Sequence, residues 1–288
     1  MSSKKETVQQ IELTKLLPFP GHPFAVRDDE AMQETVESIS RYGVLVPAIA
    51  RPLPDGNYEL ISGHRRKNAC DRAGYKTMPV IIRSFNDDEA IIAMVDSNLQ
   101  RDHILPSEKA MAYKMKLDAI KRQGARTDLT SAQDGQKLIN MTSRDQIADG
   151  SPDSSSQIQR MIRLTELTPE LLSMVDEGKI GLTPAVELSY LNKDEQDILL
   201  TTIESEQASP SLSQAKRIRK LSEEKALTDD SVLQIMSEKK KPEEQNLSFS
   251  VEKIRKYFPK SYTPRQMEDK ILDLLEKYLR KRQREAER

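Results

Sequence analysis

At 288 residues, 36 % hydrophobic and 32 % charged, with no Trp, the chain has the length of two domains with modest cores. Its net charge of −1 excludes a uniformly basic nucleic-acid coat, while leaving room for local basic patches set against acidic faces. A single cysteine, Cys70, excludes a disulfide framework and a cysteine metal cluster. No apolar run reaches the roughly 20 residues of a membrane helix, and the opening MSSKKETVQQ lacks the apolar centre of a signal peptide, so a cytoplasmic protein without a membrane span is expected.

Residues 1–10 are polar and read as a tail. Ile11 to Leu13 is a short strand pattern, followed by the turn-rich Leu17-Pro18-Phe19-Pro20-Gly21-His22-Pro23. Asp29 is placed to cap a helix from Glu30 to Tyr42, whose stripe is Met32, Val36 and Ile39, and Gly43 ends it. Pro47–Arg51 and Tyr58–Ser62 flank Pro54-Asp55-Gly56-Asn57, a hairpin signal. Gly63 then turns the chain into a helix that opens with Arg65, Arg66 and Lys67 and stops near Gly74. A helix start favours anions through its open N–H groups and dipole, and arginine suits bidentate phosphate contact; a solvated charged first turn is the plain alternative. Cys70 sits within this helix as a small buried residue. Met78–Arg83 reads as a strand, and Asn86 caps a helix to about Leu99 with Ala90, Met94 and Val95 inward.

From Ser107 the pattern is helical almost to the end. Residues 124–137 lack periodicity and read as a connection. Two capping boxes follow, Ser143-x-x-Gln146 and Ser154-x-x-Gln157, with Asp149-Gly150-Ser151-Pro152 breaking the chain between them. The second helix carries Gln157, Gln159, Arg160 and Arg163 on its polar face and Ile158, Met161, Ile162 and Leu164 on the other. This is the layout of a helix-turn-helix, although a plain αα-hairpin shares the pattern. Helices are expected at 169–177, 184–190, 193–204 and 211–221, and 238–246 reads as a charged linker. From Pro264 a long helix places Met267, Ile271, Leu274, Leu275 and Tyr278 along one stripe, which its own chain or a second copy must cover.

Catalytic signatures are missing: there is no phosphate-binding P-loop, no H-E-x-x-H and no G-x-S-x-G. The three histidines, His22, His64 and His103, are far apart in sequence. Asn98-Leu99-Gln100-Arg101 ends a helix with amides and a guanidinium, groups suited to a hard cation and a phosphate, with routine helix capping as the plainer reading.

These motifs, in this order, resemble the ParB family of plasmid and chromosome partition proteins. The matching pieces are His22-Pro23-Phe24 with Arg27, Ser38-Ile39 with Gly43-Val44-Leu45 and Pro47, Gly63-His64-Arg65-Arg66 with Ala69, and Asn98-Leu99-Gln100-Arg101. The helix-turn-helix at 143–165 and Glu177-Gly178-Lys179-Ile180 complete them, over about residues 11–205. The resemblance implies an α+β protein: a flexible tail (1–10), a small mixed nucleotide-binding domain (11–104), an all-α helix-turn-helix domain (105–237), a linker (238–248) and a helical dimerisation segment (249–288). It implies CTP held by Gly63, His64, Arg65, Arg66, Asn98, Gln100, Arg101 and Arg27, with Asn98 as the Mg²⁺ ligand. His64 and Ser97 stand where the family has glutamates, so the resemblance extends to CTP binding with at most weak hydrolysis. DNA contacts fall on Arg144, Ser154, Ser155, Gln157 and Arg160, with Arg163 toward phosphate; Ser154-Ser155-Ser156 stand where the family often has a basic residue. Implied partners are double-stranded DNA with a palindromic site, a second copy joined through Met267, Ile271, Leu274, Leu275 and Tyr278, and a ParA-type ATPase met through residues 1–10, on the nucleoid. A transcriptional regulator or nucleoid-occlusion factor on the same fold stays open, as does a ParB-like nuclease; sulfiredoxin-type chemistry is disfavoured because Cys70 lies about two turns beyond Gly63.

Overall fold

The computed structural model describes residues 7–101, 103–127, 143–149, 151–238, 255–259 and 261–286. They divide into two compact units, Met1–Glu238 and Lys239–Arg288.

The first unit opens on a five-stranded sheet: β1 (Val8–Glu12), β2 (Leu16–Pro18), β3 (Ala48–Pro52), β4 (Tyr58–Ser62) and β5 (Thr77–Ile82), in the order β1-β5-β3-β4-β2. β1 runs antiparallel to β5, and β3 antiparallel to β4, while β3–β5 and β2–β4 are parallel. The hairpin forms where the turn signal stands, with the Asp55 carboxylate accepting from the Asn57 N–H at 3.0 Å. β2 falls in the segment expected to be only turns. It lies at the sheet edge and ends on Pro18, where a missing N–H costs no ladder bond.

Helix α1 (Glu30–Tyr42) is capped by Asp29, whose Oδ1 accepts from the Met32 N–H at 2.8 Å, and buries Met32 and Ile39. Helix α2 (His64–Arg72) follows β4 directly, and α3 (Asp87–Asn98) is started by a complete Asn86–Glu89 capping box. One core lies between the sheet and α1 and α2, from Leu16, Met32, Ile39, Leu60, Met78 and Val80, with Cys70 fully buried in it. Ile61, alternating with Leu60, joins a second core with Phe24, Met94, Val95, Tyr113, Ile147 and Ile158. That core belongs equally to α3 and to α4 (Pro106–Thr127), α5 (Ser143–Ala148) and α6 (Ser155–Arg163). The expected boundary between residues 104 and 105 therefore falls inside one compact unit.

Helices α7 (Pro169–Asp176), α8 (Leu182–Leu188), α9 (Lys193–Glu206), α10 (Leu212–Glu223) and α11 (Asp229–Ser237) enclose a third core around Leu171, Leu188, Leu199, Ile218 and Val232. Of the expected connection at 124–137, residues 124–127 continue α4 and 128–137 lie outside the described residues, as does all of the linker 238–248 except Glu238. In the second unit, α12 (Pro264–Ala286) buries Met267 and half-buries Ile271 beside an apolar groove of about 540 Å³ lined by Tyr257, Phe258, Tyr262 and Leu274. Leu274, Leu275 and Tyr278 stay 54, 54 and 62 % exposed.

Candidate functional site

The turn between β4 and α2 requires glycine. Gly63 has φ +108°, and a Cβ there would meet the Ala48 Cβ at 2.8 Å. No side chain caps α2, so its first N–H groups stay open. Its three cations do not share one task. Lys67 turns inward and donates to the Leu16 carbonyl at 2.6 Å, so it is a strand anchor and not part of a cationic phosphate seat. Arg66 donates to the carbonyl oxygens of Val46 and Pro47, the latter at 2.8 Å, and holds the loop after α1. Arg65 pairs with the Asp29 carboxylate at 3.2 Å. That contact, with the Met32 N–H, holds the Asp29 carboxyl below its usual range. An exposed pair of this kind contributes little to stability, so an anionic ligand could exchange with Asp29 at little cost.

The end of α3 faces the same place. Asn98 is buried, with its amide nitrogen donating to the Met94 carbonyl at 2.7 Å, which leaves its carbonyl oxygen without a bond from a described residue. Gln100 is exposed at the helix end. Arg101 is the unusual group. Its guanidinium lies 5.7 Å from the Phe24 ring centre and makes no ion pair with a described residue. Burial, then the nearby charges of Arg65 and Arg66, lower its pKa, with Glu108 opposing. A half-buried guanidinium crowded by two others and lacking a carboxylate is a seat for an anion. Arg27, by contrast, is held at 2.9 Å by Glu108, whose carboxylate also accepts from the N–H groups of Ala25 and Leu105.

Two histidines far apart in sequence meet here, their ring centres 4.1 Å apart. His22 Nδ1–H donates to the Phe24 carbonyl at 2.8 Å, while His64 Nε2 accepts from the Phe19 N–H at 3.5 Å. His22 Nε2 and His64 Nδ1 are buried without a partner. Burial, His22, Arg101 and Lys67 bring the His64 pKa down to about 3, and burial foremost lowers that of His22. Both rings are neutral. The site thus fits a polyphosphate, with Arg101, which has no ion pair among the described residues, the loosely held Arg65 and the open α2 N–H groups as its donors. For Mg²⁺ the chain offers the Asn98 oxygen, and among the described residues no group of three or more His, Cys, Asp or Glu could hold a metal by itself.

The expected helix-turn-helix is α5, a short turn and α6. The turn is fastened to α4: the Asp153 carboxylate accepts from the Tyr113 hydroxyl at 2.6 Å and pairs with Lys109 at 2.5 Å, and Ser151 Oγ lies 2.8 Å from the same hydroxyl. Burial opposes the Asp153 carboxylate, but the bonds from Lys109 and Tyr113 outweigh it and hold its pKa below the usual range. Ser154 and Gln157 form the expected capping box, so the Gln157 oxygen is engaged at the Ser154 N–H. Ser155 is half-buried, and Ser156, Gln159 and Arg160 are exposed. Arg163 is half-buried: it donates to the Ser189 carbonyl at 2.8 Å and stacks on Tyr190 at 4.2 Å, with Arg219 at 3.7 Å from the same ring. Toward phosphate it is already engaged, and Arg160 is the more available cation. The side chain of Arg144 lies outside the described residues. Sequence reasoning passed over Asp153, whose only signal was an acidic residue directly before a capping serine.

Residues 1–99 match the model of the ParB N-terminal domain. The chain therefore carries a ParB N-terminal domain. A nucleoid occlusion protein of Geobacillus sp. strain WCH70 is 36 % identical over 110 residues, 38 % of this chain and 39 % of that one. Stage 0 sporulation protein J of Bacillus subtilis strain 168 is 31 % identical over 207 residues, 70 % of this chain and 65 % of that one. The chain spans less than two thirds of the length of both of these curated relatives. Among solved structures, a C-terminally truncated ParB from Caulobacter crescentus complexed with CTP-gamma-S is 25 % identical, covering 67 % of this chain and 96 % of that one, with a TM-score of 0.31.

Proposed function

We propose that this chain is a homodimeric, sequence-specific DNA-binding partition protein whose hold on DNA is governed by CTP. The observation that carries the nucleotide half is Arg101, a half-buried guanidinium without an ion-pair partner among the described residues, beside Arg65, Arg66 and an uncapped helix start. Arg65, Arg101 and the α2 N–H groups would take the triphosphate, and Arg66, His64, Gln100 and Arg27 would frame it. A Mg²⁺ carried by the phosphates would take the Asn98 oxygen as one ligand. A neutral imidazole at position 64 repels phosphate less than a glutamate would, but it supplies no carboxylate at the nucleotide, which supports binding with little hydrolysis.

On the DNA half, α6 would enter the major groove with Ser155, Gln157 and Arg160 nearest the bases, and Ser154 and Arg144 toward the backbone. The exposed apolar stripe of α12, Leu274, Leu275 and Tyr278, is a surface for a second copy, and a two-fold dimer would read a palindromic site. A ParA-type ATPase as partner, through residues 1–10, and residence on the nucleoid in the cytoplasm follow from the family. The deciding experiment is CTP binding and phosphate release by the full chain and by Arg101→Ala, with cross-linking between N-terminal domains in the presence of its DNA site. Nucleotide-dependent cross-linking lost in Arg101→Ala is expected; binding of no nucleotide overturns the clamp.

A second reading, a nucleoid-occlusion factor using the same fold, is favoured by the Geobacillus relative, named a nucleoid occlusion protein. DNA sites clustered beside a ParA-type gene favour partition, and sites spread around a chromosome favour occlusion. Of the acidic pair behind the nuclease reading, Asp96 is paired with Lys116 at 2.5 Å, and Asp102 lies outside the described residues.

A further inference from the structure

The pair of half-buried histidines has no place in the account so far, and its two buried, unpaired nitrogens need an explanation. Their bonds define them. His22 gives its Nδ1–H to the Phe24 carbonyl, so its Nε2 carries an unused lone pair. His64 takes the Phe19 N–H on Nε2, so its Nδ1 carries an unused N–H. The free protein therefore holds an orphaned acceptor and an orphaned donor side by side, both within the field of Arg101. A phosphate can accept from the donor but has nothing to give the acceptor. That mismatch disappears if one proton is added.

We propose that binding of a polyphosphate to the Arg65–Arg101 site is coupled to uptake of one proton from solvent by His22 at Nε2, so that His22 and His64 together present two N–H donors to the ligand. The inference rests on the anion-binding reading above. His22 and not His64 takes the proton for three reasons. The lone pair of His22 is unused, whereas the lone pair of His64 is engaged by Phe19. Around His22 stand the Phe24 carbonyl and Glu108, which favour a cation, against Arg101 and burial. The charges that act on His64 are those of His22, Arg101 and Lys67, all of which oppose a cation. A polyanion beside Arg101 offsets the cations that keep His22 neutral, so its pKa rises on binding. A group whose pKa is raised in the bound state strengthens binding as pH falls through that raised value, and the gain is absent above it. One proton enters, no bond between heavy atoms changes, and the pair gains a positive charge where the ligand brings negative ones.

The test uses the whole chain, and its count of histidines helps: there are only three, His22, His64 and His103. Imidazole nitrogen NMR of histidine-labelled protein, at about the ordinary histidine pKa of 6.5, reports each ring directly. Signals of His22 and His64 are assigned from His22→Asn and His64→Asn. On saturation with Mg-CTP, or with inorganic tripolyphosphate as a ligand lacking a base, the His22 nitrogens should move to imidazolium positions. In parallel, calorimetric titrations in buffers of different ionisation heat should show proton uptake that His22→Asn reduces by one. The affinity of the native chain should then rise relative to that of His22→Asn by up to about tenfold per pH unit, the limit for one linked proton. Comparison with the variant cancels the ligand's own titration. Saturation with all three rings still neutral, or protonation confined to His64 or His103, overturns the proposal while leaving the nucleotide reading intact. Absence of binding by either ligand to folded protein overturns both.

Discussion

Two helix starts in this molecule invite comparison, α2 after Gly63 and α6 after Ser154. The first has no side-chain cap, its turn is made by backbone strain that only glycine accepts, and its surroundings are crowded with positive charge. The second is closed by a serine–glutamine capping box, and its turn is pinned to α4 by an acid shared between a tyrosine and a lysine. In α6 the capping box occupies the N–H groups of Ser154 and Gln157. In α2 the first N–H groups remain open. A helix start left uncapped beside an unpartnered arginine is suited to an anion that enters; one that is capped and braced is suited to presenting a fixed face to a large partner.

The largest expected effect breaks the first start. Gly63→Ala puts a Cβ within 2.8 Å of Ala48 and forces alanine into a left-handed backbone. The combined overpacking and backbone strain should cost about 2–4 kcal/mol in chemical denaturation. Nucleotide binding should fall with it. A stable Gly63→Ala chain that still binds would mean that the turn relaxes and the close approach is unimportant.

Next comes Arg101→Ala, which separates binding from folding. Removing an arginine that contacts phosphate should weaken nucleotide by about 1.5–3 kcal/mol, a fall of roughly ten- to a hundredfold by calorimetry. Stability should stay level or rise, because a half-buried cation without an ion-pair partner among the described residues is being removed. A variant that loses stability as much as affinity would show Arg101 to be structural.

How much of this could be read from residues alone differs between the two starts. The α6 box, the α1 cap at Asp29 and the turn at Asp55-Gly56 are local signals whose partners lie within a few residues, and all are found where expected. Gly63 announced its turn, but not that Ala48 would press against it. The division of labour among Arg65, Arg66 and Lys67 was invisible, because their partners lie 36, 19 or 20, and 51 residues away on other elements. The meeting of His22 and His64 was likewise hidden by 41 intervening positions and a parallel strand pairing, β2 with β4, that no periodicity signalled. Short-range physics was visible, while tertiary pairing of charged side chains was not.

Asp153→Asn tests the brace of the second start. It keeps the shape but removes the charge that holds Lys109 and orders the Tyr113 hydroxyl. Loss of this charge-assisted contact should cost about 1–2 kcal/mol of stability and loosen α6 on its DNA. The pH dependence has a definite sign. The folded pKa of Asp153 is depressed, so its contribution is complete above its ordinary value of 3.8 and is lost as pH falls through the lower folded value. Native chain and Asp153→Asn should therefore converge in stability under acid, and a constant gap down to that range would assign the loss to packing.

The smallest effect belongs to the cap itself. Ser154→Ala removes the oxygen that accepts from the Gln157 N–H and leaves the first turn of α6 to fray, at a cost of about 1 kcal/mol. It also removes one of the two bonds on the Gln157 side-chain oxygen, that from Ser154 Oγ at 3.1 Å, and leaves the one from the residue 154 N–H. The two consequences pull apart on DNA. Fraying lowers affinity for every sequence, whereas a less firmly held Gln157 can reach for adenine and change preference among sites. Affinities for a panel of single-base variants of the site would separate them. A uniform loss means that Gln157 works as a cap and Arg160 and Ser155 carry the reading. A changed ranking means that the capping box itself restrains which bases this helix can read.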